Sequence, residues 1–131
     1  MELPVSRSAL MAMRDHAARA APAECCGLLL GRGTRIEAAQ AARNVAADRT
    51  RRFEIDPQAL IDAHRAARSG GPAVIGYYHS HPSGPARPSP TDRAEASGDG
   101  SVWAIVSASD VTFWRDDAAG FTPLSYAVED R

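Results

Sequence analysis

The sequence predicts an α+β domain, a mostly antiparallel sheet flanked by helices. Three observations predict it. Residues 25–30, 73–78 and 102–106 are short apolar runs of strand length, the last two rich in branched and aromatic side chains. Residues 6–20 and the stretch after Asp56-Pro57 carry apolar side chains at helical spacing. Turn signals at Ser109-Asp110 and over residues 116–120 divide the C-terminal part into hairpin strands.

The chain has 131 residues, which suits one domain (1–131) with one core. Hydrophobic residues make up 44% but aromatic ones only 6%, so the core must depend on Leu, Ile, Val, Trp and Phe. Net charge is −1, and all fifteen basic residues are arginine. They are scattered apart from Arg49-Thr50-Arg51-Arg52, which reads as a solvated loop, so a one-sided basic footprint for nucleic acid is not expected. No stretch has the length and apolarity of a membrane span, and the N-terminus lacks a signal-peptide pattern. Cys25 and Cys26 are adjacent, with Cα atoms about 3.8 Å apart, too close for an ordinary disulfide. A reducing, cytoplasmic setting is expected.

The first helix begins at Ser6 or Ser8, either of which can cap it, and stops before Pro22. Leu10, Met13 and Ala17 form its buried stripe, with His16 beside it as a structural or exposed residue. Residues 25–30, bounded by Glu24 and Gly31, read as a central strand. Its two thiols read as small apolar residues rather than metal ligands. Residues 34–45, Ala-rich and of weak β propensity, complete a hairpin with that strand. Residues 46–52 read as a polar loop and 53–55 as a short strand. Asp56-Pro57 is a strong helix start. Leu60, Ile61, His64 and Ala67 are expected on one face of that helix, with His64 at its edge, and Gly70-Gly71 stops it. Beyond the strand 102–106, residues 111–115 and 121–128 read as the last two strands.

The chemistry concentrates where residues 73–78 lead into Tyr78-His79-Ser80-His81-Pro82. If the strand runs on to His81, His79 and His81 point to one face and Ser80 to the other. Pro82 ends the strand. A loop over residues 83–90 leads to Thr91-Asp92, where Thr91 can cap a short helix with Asp92 in its first turn. Taken singly, each histidine is as readily a surface or core residue. Together with Asp92 they offer two nitrogens and one oxygen, which suits zinc and leaves a fourth position open, as a catalytic site requires. Glu24, otherwise a solvated strand-end residue, then has a use, because water activated by zinc needs a nearby base.

His79-Ser80-His81-Pro82, six residues and then Ser89-Pro90-Thr91-Asp92 resemble the H-x-H-P-x6-S-x-x-D signature of the JAMM (MPN-plus) metalloproteases. Glu24-Cys25-Cys26-Gly27 resembles that family's upstream E-x-C-G element, and Phe53-Glu54-Ile55-Asp56-Pro57 looks like its bacterial members. The resemblance covers most of residues 22–106 and implies the cytidine-deaminase-like JAMM/MPN fold. It implies that His79, His81 and Asp92 hold Zn2+, that Glu24 is the general base and that Ser89 hydrogen-bonds the oxyanion of the intermediate.

The short stretch 94–102 leaves little room for a ubiquitin clamp. The chain therefore looks more like the small bacterial members that process ubiquitin-like sulfur-carrier proteins, some of which release an amino acid such as cysteine. The carrier's C-terminal tail is the implied partner, added as a strand beside the sheet and gripped by residues 83–87 and 97–101. Two other readings follow from related proteins. One is a non-catalytic MPN-type scaffold or dimerisation domain, which makes a homodimer a candidate assembly. The other is a RadC-like DNA-associated protein, suggested by His81-Pro82-Ser83-Gly84. The ligand set argues against the first, and the charge balance argues against the second.

Overall fold

The structure is a computed structural model that describes residues 2–130. Eight strands form one mixed sheet: β1 (Leu3–Ser6), β2 (Cys26–Arg32), β3 (Arg35–Ala42), β4 (Ala73–Ser80), β5 (Val102–Val106), β6 (Val111–Asp117), β7 (Gly120–Leu124) and β8 (Tyr126–Glu129). The helices are α1 (Arg7–Ala20), α2 (Pro57–Arg68) and α3 (Pro90–Glu95). The strand order is β7-β6-β5-β4-β2-β3-β1-β8. Four neighbouring pairs are antiparallel, and three (β1 with β3, β1 with β8, β4 with β5) are parallel. The sheet is thus antiparallel by a narrow majority.

β7 and β8 occupy opposite edges, yet only Ser125 separates them in the chain. The sheet must therefore curl until its edges approach. The ring of Phe113 on β6 meets that of Tyr126 on β8 at 4.7 Å between centroids. Inside the curl, Leu3, Val5, Leu29, Ile36, Val102, Val111 and Phe113 pack with Ala9, Leu10 and Met13 of α1. Burying one such Leu or Met contributes about 1.5–3 kcal/mol. α1 starts as expected, with Ser6 Oγ accepting from the Ala9 amide at 3.0 Å.

Side chains of β2 alternate between two cores. Leu29 faces α1, while Cys26, Leu28 and Leu30 face α2 together with Ile55 and Ala63. Asp56 caps α2 and Pro57 is its first residue, as expected. Its inward face differs from the expected one. Ala59, Leu60 and Ala63 pack on the sheet, whereas Ile61 (48% exposed) and His64 face solvent. Two further differences concern strands. Residues 53–55 form only an isolated bridge, Asn44 to Ile55, and the expected strand 121–128 breaks at Ser125 into β7 and β8.

Two glycines let the central strands approach. A Cβ at Gly76 would run into the Val102 backbone of β5. One at Gly27 would run into the Tyr78 ring and the Gln40 carbonyl. β4 therefore lies flush between β2 and β5 and carries His79 into register with Cys26 and Ile105.

Candidate metal centre and active site

β4 ends at Ser80, and the His81 amide still donates to the Val106 carbonyl at 2.8 Å. Strand alternation thus extends to His81, so His79 and His81 share a face. Both are buried. Ser80 points the other way. Its Oγ accepts from the Cys25 amide at 2.9 Å, and its own amide donates to the Cys25 carbonyl at 3.1 Å, so it clamps the strand next to Glu24.

α3 supplies the carboxylate. Its cap is Ser89, not Thr91. Ser89 Oγ accepts from the Asp92 amide at 3.0 Å, and the Ser89 amide donates to Asp92 Oδ2 at 3.0 Å, a reciprocal capping box with Pro90 between. Ser outranks Thr as a cap, and Pro90 fits the first helical position, which moves the start forward.

The three groups converge. The His79 and His81 Nε2 atoms are 3.1 Å apart and lie 3.1 and 3.0 Å from Asp92 Oδ2. Together they form a group able to hold a metal ion. His81 Nδ1 donates to the Pro85 carbonyl at 2.8 Å. A carbonyl only accepts, so a proton sits on Nδ1, and whenever the ring is neutral its Nε2 lone pair is the one turned toward His79 and Asp92. Such an outer bond orients metal-binding imidazoles generally.

Electrostatics point the same way. Burial pushes Asp92's carboxyl up, but hydrogen bonds with His79 and His81 outweigh it and hold it well below the usual carboxylate range. Burial would lower His81, yet the bonds to Asp92 and the Pro85 carbonyl raise it. Complete burial lowers His79 against the pull of Asp92. One imidazole thus tends to stay neutral while the cluster as a whole draws positive charge.

Glu24 lines a pocket of about 390 Å³ together with His81, Pro85, Ser89 and Thr91. Half-burial raises its carboxyl to about 7, with His81 pulling down and Asp92 pushing up. Its backbone is fixed on both sides. The Glu24 amide donates to the Arg49 carbonyl at 2.7 Å, and Asn44 Nδ2 donates to the Glu24 carbonyl at 2.9 Å. Cys25 and Cys26 are buried free thiols, and burial raises both, Cys26 to about 12. They stay protonated and pack as small apolar groups.

Several contributors were not singled out from the sequence. Phe53 stacks on His79 at 4.3 Å between centroids, and Trp103 meets it edge-on at 5.6 Å. His79 Nδ1 is buried without a hydrogen-bond partner among the described residues. Asn44 also donates to the Arg52 carbonyl and accepts from the Ala46 and Glu54 amides, so it knits the loop beside Glu24. Thr112 Oγ1 ties the 83–87 loop down by donating to the Ala86 carbonyl at 2.6 Å. The 97–101 connection is organised elsewhere, around buried Asp116, whose carboxylate accepts from the Ser97 and Gly98 amides. It does not line the pocket at Glu24. No sequence signal marks Asn44 or Asp116, since each works through bonds formed only once distant segments meet.

Comparison with known proteins adds a lineage. The family described as prokaryotic homologs of the JAB domain matches residues 6–117. A desampylase from Haloferax volcanii is 39% identical over 127 residues, which cover 93% of this chain and 90% of that protein. A probable TtuB-protein conjugate cleaving protease from Thermus thermophilus is 40% identical over 94 residues, 72% of this chain and 63% of that one. The fold is similar to that of a JAB1/MPN domain protein from Archaeoglobus fulgidus, with TM-score 0.65 and 22% identity over 96% of this chain and 98% of that one.

Proposed function

The chain belongs to the prokaryotic homologs of the JAB domain, and from that membership and its site we propose that it is a zinc-dependent JAMM-type peptidase or isopeptidase. Its substrate is the amide bond at the C-terminal Gly-Gly tail of a ubiquitin-like sulfur-carrier protein, and the released group can be an amino acid such as cysteine. Residues 1–131 act as one catalytic domain, in the cytoplasm. No helix among the described residues is long and apolar enough to cross a membrane, which agrees with that setting. Relatives named for cutting protein conjugates support the reaction class.

The observation that carries the reading is the convergence of His79, His81 and Asp92, with His81 opening onto the pocket that Glu24 also lines. Donors on tetrahedral zinc, each about 2.0–2.2 Å from the ion, lie roughly 3.3 Å from one another. The donor atoms here, 3.0–3.1 Å apart, need almost no movement to fit. Zinc held there would polarise the scissile carbonyl and make water acidic enough to attack at neutral pH. Glu24, poised near neutrality, takes the proton from the attacking water and returns it to the leaving amine. Ser89 Oγ accepts from the Asp92 amide, which leaves its own O–H free to donate to the developing oxyanion. Glycines in the tail let its backbone approach the site closely.

The test offers three substrates to the zinc-loaded protein: a Gly-Gly-ending carrier extended by one amino acid, a Lys-linked diubiquitin and an unrelated unfolded peptide. Mass spectrometry should show the extension removed from the carrier, with the other two cut slowly or not at all. Fastest cutting of diubiquitin would replace the carrier reading with a deubiquitinase. Cutting of none with zinc present would leave the carrier reading without support.

A further inference from the structure

Two pockets meet at Glu24 and Thr50, which line both. One runs toward Arg51 and Arg87, the other toward Arg43 and Arg49. The two adjoining pockets, taken together as a groove, thus flank the proposed base, and each has two arginines in its lining. All four are exposed. Asp48 lies 3.6 Å from Arg51 in an exposed pair, which contributes little. Among the described residues, Arg43, Arg49 and Arg87 make no ion pair. The chain as a whole carries net charge −1, and four arginines against the carboxylates of Asp48 and Glu24 leave a local excess of positive charge here.

The catalytic groups do not require it. The scissile amide is neutral, and a divalent cation would balance Glu24 and Asp92. The loop bearing Arg43, Arg49 and Arg51 is also held in place, since Asn44 bonds to the Glu24 and Arg52 carbonyls and the Ala46 and Glu54 amides. An ordered rim loses little entropy on docking. Guanidinium groups suit carboxylates, which they can hold through two parallel bonds.

We propose that Arg43, Arg49, Arg51 and Arg87 form a docking rim for an acidic protein face, the face that surrounds the tail entering the groove. This rests on the carrier-tail reading above and deepens it. The rim admits carriers that are acidic around the tail and repels those that are basic there. Complementary charge of this kind acts mainly on encounter and on partner choice.

The test measures binding of two carriers to the zinc-loaded Glu24→Gln variant, which cannot turn them over. One carrier is acidic around its tail, and the other has those carboxylates replaced by amides. The acidic carrier should bind roughly 10- to 100-fold more tightly at low salt. Its advantage should shrink as salt rises from about 50 to about 300 mM. Arg43→Glu, Arg49→Glu and Arg51→Glu introduced together into the Glu24→Gln background should abolish the preference with zinc content unchanged, while a short Gly-Gly tail peptide without a carrier body, offered to the wild-type protein, reports on the catalytic site by itself. Equal binding of the two carriers, or a triple variant that keeps the preference, would overturn the proposal. So would tighter binding of a single-stranded oligonucleotide than of either carrier. If the acidic carrier binds as expected but neither carrier nor peptide is ever cut, the rim stands and the catalytic reading fails.

Discussion

Ser89 and Asp92 are bonded to each other twice, from the Ser89 amide to Asp92 Oδ2 and from the Asp92 amide to Ser89 Oγ, each at 3.0 Å. The first bond aims the same oxygen that faces His79 and His81. The second starts α3. The backbone of Ser89 thus serves the Asp92 carboxylate, while its side chain serves the helix and, in the proposed reaction, the oxyanion.

Ser89→Ala separates these duties. The backbone bond to Asp92 remains, so zinc content should be unchanged. Loss of the cap should cost about 1 kcal/mol of stability, read from urea unfolding. Loss of the hydroxyl donor should lower kcat about 10²–10³-fold with a smaller change in KM. An unchanged kcat would leave Ser89 as a cap alone.

Glu24 should set the acid limb of the rate profile. A base works deprotonated, so kcat/KM should rise with pH through the Glu24 pKa and then level off. Burial places that value at about 7, and a cation held by His79, His81 and Asp92 draws it lower. The limb should therefore lie at or below about 7. Glu24→Gln should keep zinc and fold, lose about 10²–10⁴-fold in rate and lose this limb. The same limb persisting in the variant would assign it to another group.

Gly76→Ala should destabilise the sheet. The added methyl meets the Val102 backbone, which cannot swing aside as a side chain can. A loss of about 1–3 kcal/mol is expected in denaturant unfolding. A variant as stable as the wild type would mean that β4 and β5 can separate at no cost.

Much of this site could be read from local pattern. The alternation of His79 and His81, the stop at Pro82 and the Asp56-Pro57 helix start all act within a few residues of themselves, and the structure follows them. The features that went unread depend on partners far along the chain. The parallel pairing of β1 with β8 joins the two ends of the sequence, and the strands are too short to announce it. Residues 53–55 have strand composition, but Phe53 is spent on covering His79 instead of joining the sheet. Ile61 looked buried by type, yet it faces solvent while Ala59, Leu60 and Ala63 form the inward face of α2. The 97–101 connection was expected beside the site, but Asp116 on β6 gathers its amides at another place.

In the proposed reaction, one ion held by His79, His81 and Asp92 makes this chain a hydrolase. Zinc titrated into metal-free protein, with carrier-tail cleavage followed at each step, tests it most directly. Turnover should rise in proportion to zinc and break at about one ion per chain, as a three-ligand site with an open position requires. The His79→Ala/His81→Ala double variant should show no response. Full turnover in metal-free protein, or the same break in the double variant, would contradict that role of the ion.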